Sequence, residues 1–265
     1  MIRLSVVIPS YRDPLLHKTI DSLLEASGLG PELEILAVLD GYWSDTPVKT
    51  DPRVRVVHLG KNRGMRGAIN AGVLVSRGEF IMRTDEHAMF SPGYDCILTE
   101  TCEPNWIVTP RRFCLDPVKW EVMKDIPPVD YMKLKIVGAG SGQKFSGVEW
   151  RRPDRDTYFL DETPAMQGSC WLMPRAWWDS VIGELQTDGY GPLTQDSHEM
   201  TFKTWQASGK LMVNKLAWHA HKHRSFPRTH NGGSPENPAN TEASYSYALS
   251  VWKDYYTQEI APRWA

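Results

Sequence analysis

The sequence predicts an α/β domain built on a mainly parallel sheet, and three observations carry that prediction. Strand-like apolar runs alternate with segments of helical periodicity along the N-terminal part of the chain. The strands there are nearly continuous apolar stretches, the pattern of strands covered on both faces. Charged and aromatic polar side chains gather just after the strand ends, where parallel sheets hold their ligands.

The elements follow in order. Residues 4–9 (Leu-Ser-Val-Val-Ile-Pro) read as a buried strand. The turn Pro9-Ser-Tyr-Arg-Asp-Pro14 leads into a helix over 15–26, with Leu15, Leu16, Ile20, Leu23 and Leu24 at helical spacing. Residues 33–39 form a second buried strand that ends in Asp40-Gly41, and 54–59 a third. Gly60-Lys-Asn-Arg-Gly64 then opens an Ala/Gly-rich helix over 65–76. A short strand over 79–84, with Phe80, Ile81 and Met82 as its apolar core, ends in Asp85 and His87.

The second half is less regular. A strand is expected over 105–110, followed by a stretch broken by prolines up to 128. The Gly-rich residues 137–153 are expected to form a loop, either a plain surface loop or a segment that orders over bound substrate. A turn and strand occupy 165–175, and helices are expected over 176–185 and 199–208. Asp196 and Glu199 stand at the start of the latter, where the helix dipole favours carboxylates, and simple capping accounts for the same pattern. A last strand over 210–216 runs into Trp218-His-Ala-His-Lys-His-Arg224, and an aromatic amphipathic helix covers 241–256. No internal repeat is present. A soft division near residue 100 separates a nucleotide half (1–100) from an acceptor half (101–230), with 231–265 as a tail.

Composition narrows the function classes. At 265 residues the chain has ample length for a core, and a formal charge of −2 gives no global pull toward nucleic acid or membranes. No run of eighteen apolar residues exists, and Met1 leads almost directly into a strand, so neither a transmembrane span nor a cleaved signal is expected. Cys96, Cys102, Cys114 and Cys170 lack C-x-x-C spacing and read as buried or free thiols, which favours a cytoplasmic location. Between residues 203 and 230 there are six Lys/Arg, four His and no acid, a stretch that reads either as a solvated face or as a polyanion contact.

Asp85 and His87 carry the first chemical signal. At a strand end the chain bends, so an Asp-x-His pair converges on one ion, and a carboxylate with an imidazole suits a borderline divalent cation such as Mn²⁺. Such an ion neutralises a leaving diphosphate. An isolated D-x-H is more often a turn cap beside a solvated histidine. The company of Tyr11, Asp13, Asp40, Arg63 and Arg66, all near carboxyl ends of strands, raises the metal reading above that.

Taken in order, Val6-Val-Ile-Pro-Ser-Tyr-Arg12, Val38-Leu-Asp-Gly41, Asn62-Arg-Gly-Met-Arg-Gly-Ala-Ile-Asn-Ala-Gly72, Gly78-Glu-Phe-Ile-Met-Arg-Thr-Asp85, the stretch 168–175 and Gln195-Asp-Ser-His-Glu199 resemble the GT-A glycosyltransferases, and the family two group in particular. The likeness spans nearly the whole chain. It implies a GT-A fold and a UDP-sugar donor, with Pro9, Tyr11, Asp13 and Asp40 holding the uridine and Arg63 and Arg66 near the phosphates. Asp85 matches the first Asp of the family's D-x-D motif. His87 departs from it and is similar to the D-x-H version of the polypeptide N-acetylgalactosaminyltransferases, whose third ligand is a His near the end of the domain. That alignment favours His221, although strand periodicity does not separate it from His219, and His223 stands beside both. Asp85, His87 and His221 would then hold Mn²⁺ or Mg²⁺, with Glu86 a bystander.

Asp196 matches the general base of inverting members, with Gln195 in place of the usual Glu, and Glu199 would orient the acceptor. Inversion is expected on that basis, whereas the polypeptide transferases retain configuration. The acceptor is a saccharide or, given the basic stretch, a hydroxylated base of DNA. A nucleotidyltransferase would need a Gly-rich loop after the first strand, and Pro9-Ser-Tyr-Arg12 supplies none. A catalytically inert nucleotide-sugar-binding protein would be expected to lack Asp85 or Asp196, and both are present.

Overall fold

A computed structural model describes residues 1–222 and 241–264. The chain opens with β1 (Leu4–Ser10), α1 (Leu16–Ala26), β2 (Leu33–Asp40), β3 (Val54–Leu59), α2 (Gly64–Val75), β4 (Phe80–Thr84) and β5 (Ala88–Phe90). It continues through α3 (Tyr94–Thr101), β6 (Trp106–Asp116), β7 (Glu121–Val122), β8 (Met132–Val137), β9 (Lys144–Glu149), β10 (Leu160–Glu162) and β11 (Cys170–Pro174). A short helix α4 (Arg175–Trp177) runs into a π turn (Trp178–Ile182), and α5 (Asp196–Gln206), β12 (Lys210–His221) and α6 (Thr241–Tyr255) follow.

The main sheet has the strand order β10-β12-β6-β11-β4-β1-β2-β3. From β4 to β3 every pairing is parallel, β6 and β12 are parallel to each other, and β11 is the antiparallel strand between the two groups. This is the expected α/β architecture. Every residue of β1, β2 and β4 is buried, because α1 covers one face and α2 the other. Gly72 makes the second of these contacts close: a Cβ there would stand 2.4 Å from Val7 Cγ1. No described helix is long and apolar enough to cross a membrane, and all four cysteines are free thiols.

Three local expectations change. Residues 137–153 are not one loop. Met132–Val137 and Lys144–Glu149 form an antiparallel hairpin, with only the glycine-rich segment between them turning the chain. The alternation of Lys133 and Lys135 with Leu134 and Ile136 is its sequence signal, and it lies largely before the glycines. The helix expected over 176–185 is shorter and ends at Gly183, where φ is +67°. The last strand runs on to His221, because β12 shifts register between Asn214 and Trp218 and then resumes pairing with both β6 and β5.

Candidate functional site

The resumed pairing of β12 builds the centre of the site. β5 lies antiparallel to the last residues of β12, with Ala88 opposite His221. The turn between β4 and β5 carries Asp85, Glu86 and His87, so the ladder delivers His221 to that turn across 136 residues of sequence. One ligand atom from each of Asp85, His87 and His221 lies within 4.8 Å of the others. His221 Nε2 donates to Asp85 Oδ2 at 2.9 Å, and the two imidazoles stand 4.9 Å apart.

The electrostatics suit a cation. Burial works to raise the Asp85 pKa, but the Arg83 guanidinium and the His221 hydrogen bond outweigh it and hold the carboxyl well below the usual range. Burial also lowers His221, against the raising effect of Asp85, so its imidazole is neutral at pH 7. An ionised Asp85 carboxylate with a neutral His221 imidazole is the protonation state in which these two side chains bind metal. The donor set therefore fits a borderline divalent ion, and binding would displace the proton that His221 shares with Asp85.

The surrounding residues hold this triad in place. His87 Nδ1 donates to Asp13 Oδ2 at 3.0 Å, which leaves Nε2 as the ligating nitrogen. Asp13 Oδ1 accepts from Leu15 N at 2.9 Å and so anchors the same carboxylate to the turn before α1. Arg83, 2% exposed, reaches from β4 to Asp85 Oδ1 and also donates to the carbonyl of Gly168. Arg83 was not among the residues expected to serve the site. Its signal was an arginine in an otherwise apolar strand. Glu86 is no bystander: it is buried, and its carboxylate accepts from Tyr11 N at 2.9 Å, tying the loop after β1 to the metal turn.

Beside the triad lie the ends of β1 and β2. Pro9 sits in register with Val38, Ser10 Oγ bonds Tyr42 Oη at 2.5 Å, and the Tyr11 and Tyr42 rings meet edge-on at 6.0 Å. Asp40 Oδ1 accepts from Arg63 N at 2.7 Å, and Gly41, at φ +75°, allows the 60–64 loop to pass against it. Burial raises the Asp40 pKa to about 6 in spite of the backbone donors of Arg63 and Gly64. Arg63 is exposed at the start of α2.

Arg66 and Glu199, expected at the phosphates and the acceptor, meet each other. Arg66 is 0% and Glu199 1% exposed, and they form an ion pair. Arg66 also donates to Thr194 O from Nε and Nη2 at 3.0 and 2.9 Å, and to Gln186 O at 2.9 Å. The packing of the start of α2 on the loop before α5, sealed by Arg66 N to Pro192 O, turns this arginine inward. The pair thereby grips Thr194 and Gln195, both left-handed (φ +72° and +54°), just ahead of Asp196. Asp196 opens α5 at 7% exposure, and no donor among the described residues bonds its carboxylate. A Cβ on Gly168 would touch Ser197 Oγ at 3.5 Å, so the turn that anchors Arg83 also abuts the first turn of α5.

Tertiary structure also separates the histidines. His219 is fully buried and bonds Ser169 Oγ at 3.0 Å, while His221 faces Asp85; His223 lies outside the described residues. Two cations of the basic stretch are taken up inside the domain, while Lys210 is exposed. Lys203 pairs with Glu199 at 2.8 Å and Lys215, 7% exposed, donates to Arg155 O at 2.7 Å. Residues 223–230 of that stretch lie outside the described residues.

Comparison with known proteins bears on the family and the fold. The model of glycosyl transferase family 2 matches residues 5–179. Polypeptide N-acetylgalactosaminyltransferase 12 of Mus musculus is 22% identical over 96% of this chain and 44% of its own length. Polypeptide N-acetylgalactosaminyltransferase 4 of the same species is 22% identical over 98% and 45%. The chain thus spans less than half the length of these relatives. A crystal structure of GalNAc-T7 with UDP, GalNAc and Mn²⁺ superposes with a TM-score of 0.74 at 19% identity, covering 97% of this chain and 50% of that one. The likeness establishes the GT-A fold.

Proposed function

The chain belongs to glycosyl transferase family 2, and from that premise we propose that it is a metal-dependent glycosyltransferase moving a sugar from a UDP-sugar to an acceptor hydroxyl. The observation that carries the proposal is the convergence of Asp85, His87 and His221 beside the ends of β1 and β2. Asp85, His87 and His221 would hold Mn²⁺ (or Mg²⁺), which would supply positive charge to the departing diphosphate.

The protein's own residues do the remainder. Arg83 keeps Asp85 ionised and oriented, and Asp13 holds the proton on His87 Nδ1. Pro9, Tyr11 and Asp40 line the nucleoside position, and Arg63 stands at the mouth of the 60–64 loop toward the phosphates. Asp196 takes the proton of the attacking hydroxyl, and a direct attack assisted in this way inverts the anomeric configuration. Its carboxylate is uncommitted among the described residues, which supports that role. Arg66 and Glu199 act at one remove, as the clamp on the turn that presents Asp196.

The test is release of UDP from a panel of UDP-sugars, with Mn²⁺ and with chelator, followed by anomeric analysis of the product by NMR. Mn²⁺-dependent UDP release and an inverted product are expected. UDP release unaffected by chelator would overturn the metal role, and a retained product would overturn the assignment of Asp196 as base.

A further inference from the structure

Arg112 has a place in the fold that its structural role does not explain. It lies on β6 opposite His219 of β12, and two residues further Cys114 is opposite the metal-triad residue His221. Paired residues of neighbouring strands share a face, and so do alternate residues of one strand. Arg112 is therefore next to the two histidines, and its charge lowers the pKa of both, after burial and their mutual effect in His219 and after several larger causes in His221.

Every other described arginine that is buried or half-buried has an acceptor. Its neighbour Arg111 forks onto Asp130 at 2.6 and 2.7 Å, Arg155 onto Asp161 at 2.8 and 2.7 Å, and Arg66 and Arg83 pair with Glu199 and Asp85. Among the described residues, the Arg112 guanidinium has neither a hydrogen bond nor an ion pair. The acid whose charge it feels, Glu149, is taken up by Arg151 at 2.9 Å. Backbone bonds to Val129, at 3.1 and 2.8 Å, fix the Arg112 main chain and leave the side chain without a structural task. Burial disfavours its charged form, a cost that a hydrogen-bonded anion would remove.

The side of the metal triad on which it sits narrows the anion. β12 is flanked there by β5 on one edge and by β6 on the other. His87, Asp13 and the Tyr11 loop lead away on the β5 edge toward the ends of β1 and β2, the nucleoside side. Arg112 is on the opposite edge. We propose that Arg112 binds a carboxylate or phosphate carried by the transferred sugar or by the acceptor, making the enzyme selective for an acidic substrate on that side of the metal. This inference rests on the UDP-sugar reading above.

Titration calorimetry tests it, on wild type, Arg112→Gln and Arg112→Lys, all with Mn²⁺. The donor arm compares UDP, UDP-glucose and UDP-glucuronate. The acceptor arm adds glucose, glucuronate or glucose 6-phosphate to the protein already loaded with UDP. A charge-assisted fork of this kind predicts that wild type prefers the acidic member of one arm by about ten- to a hundredfold. Arg112→Gln is expected to abolish that preference, and Arg112→Lys to keep part of it, with UDP affinity unchanged in both. The arm that responds identifies which molecule carries the anion. No acidic preference in either arm overturns the inference, as does an equal loss of UDP affinity in Arg112→Gln, which would place the arginine on the diphosphate. Failure of wild type to bind UDP at all would overturn the UDP-sugar reading, and this inference with it.

Discussion

Replacing Glu199 with alanine is the sharpest test of how the catalytic turn is built. In the structure its carboxylate accepts from Arg66, from Gln186 N at 3.2 Å and from Lys203 at 2.8 Å. Arg66 is 0% exposed, so the substitution leaves a full positive charge inside the domain with only the carbonyls of Thr194 and Gln186 and the face of the Tyr190 ring for company. Lys203 is a quarter exposed and turns to solvent. Breaking one side of a buried pair costs about 3–5 kcal/mol, a large share of the roughly 5–15 kcal/mol that holds a domain together. For a domain of this size that corresponds to a melting point lower by roughly 6–20 °C. Urea denaturation followed by tryptophan fluorescence reads the loss directly. The apolar pair Arg66→Met with Glu199→Leu should recover much of it, since neither charge is then stranded. If Glu199→Ala instead melts with the wild type while its turnover collapses, Glu199 acts on substrate and the clamp reading is wrong.

Other substitutions address the metal and the base. His87→Ala should lower Mn²⁺ affinity in titration calorimetry while changing the unfolding midpoint little. Asp13→Ala should lower that affinity about ten- to a hundredfold through the misplaced imidazole, with Asp13→Asn closer to wild type because its amide oxygen still accepts from Nδ1. Asp196→Asn should retain UDP and Mn²⁺ binding but reduce transfer by about 10²- to 10⁴-fold in single-turnover assays. Asp40 gives a pH signature. Its folded pKa, about 6, lies above the 3.8 of a free carboxyl, so its contribution to stability is fully present below pH 3.8 and lost as the pH rises through 6. The full change amounts to about 3 kcal/mol, and Asp40→Asn should flatten that part of the stability curve in urea titrations between pH 4 and 7. An identical pH dependence in the two proteins would contradict the burial argument.

The local pattern was legible in the sequence, and its failures are instructive. Strands β1 to β4 and helices α1 and α2 follow from apolar runs and helical periodicity, and each ends within a residue or two of its expected boundary. Asp85 and His87 could be read together because one residue separates them at a strand end. The β8–β9 hairpin was hidden by glycines that punctuate it, although alternation in its first strand announced it. The family resemblance puts Arg66 beside Arg63 near the phosphates, after the third strand, whereas the fold buries it. Nothing local told of Pro192 and Tyr190, which draw it inward.

By itself, then, the sequence determined the order of strands and helices from β1 to β4, the D-x-H turn and the helix start that carries Asp196, all of them encoded in the pattern of neighbouring residues. Tertiary structure alone decided which partner each charge found. The register shift in β12 brings His221, and not His219, to Asp85, and the docking of α2 on α5 joins Arg66 to Glu199. The pairing of β6 with β12 leaves Arg112 beside the triad without an acceptor among the described residues. Such choices are made by sheet register and helix docking across more than a hundred residues of chain, and burial then fixes their energies, because a charge removed from water is held by whichever group the fold places next to it.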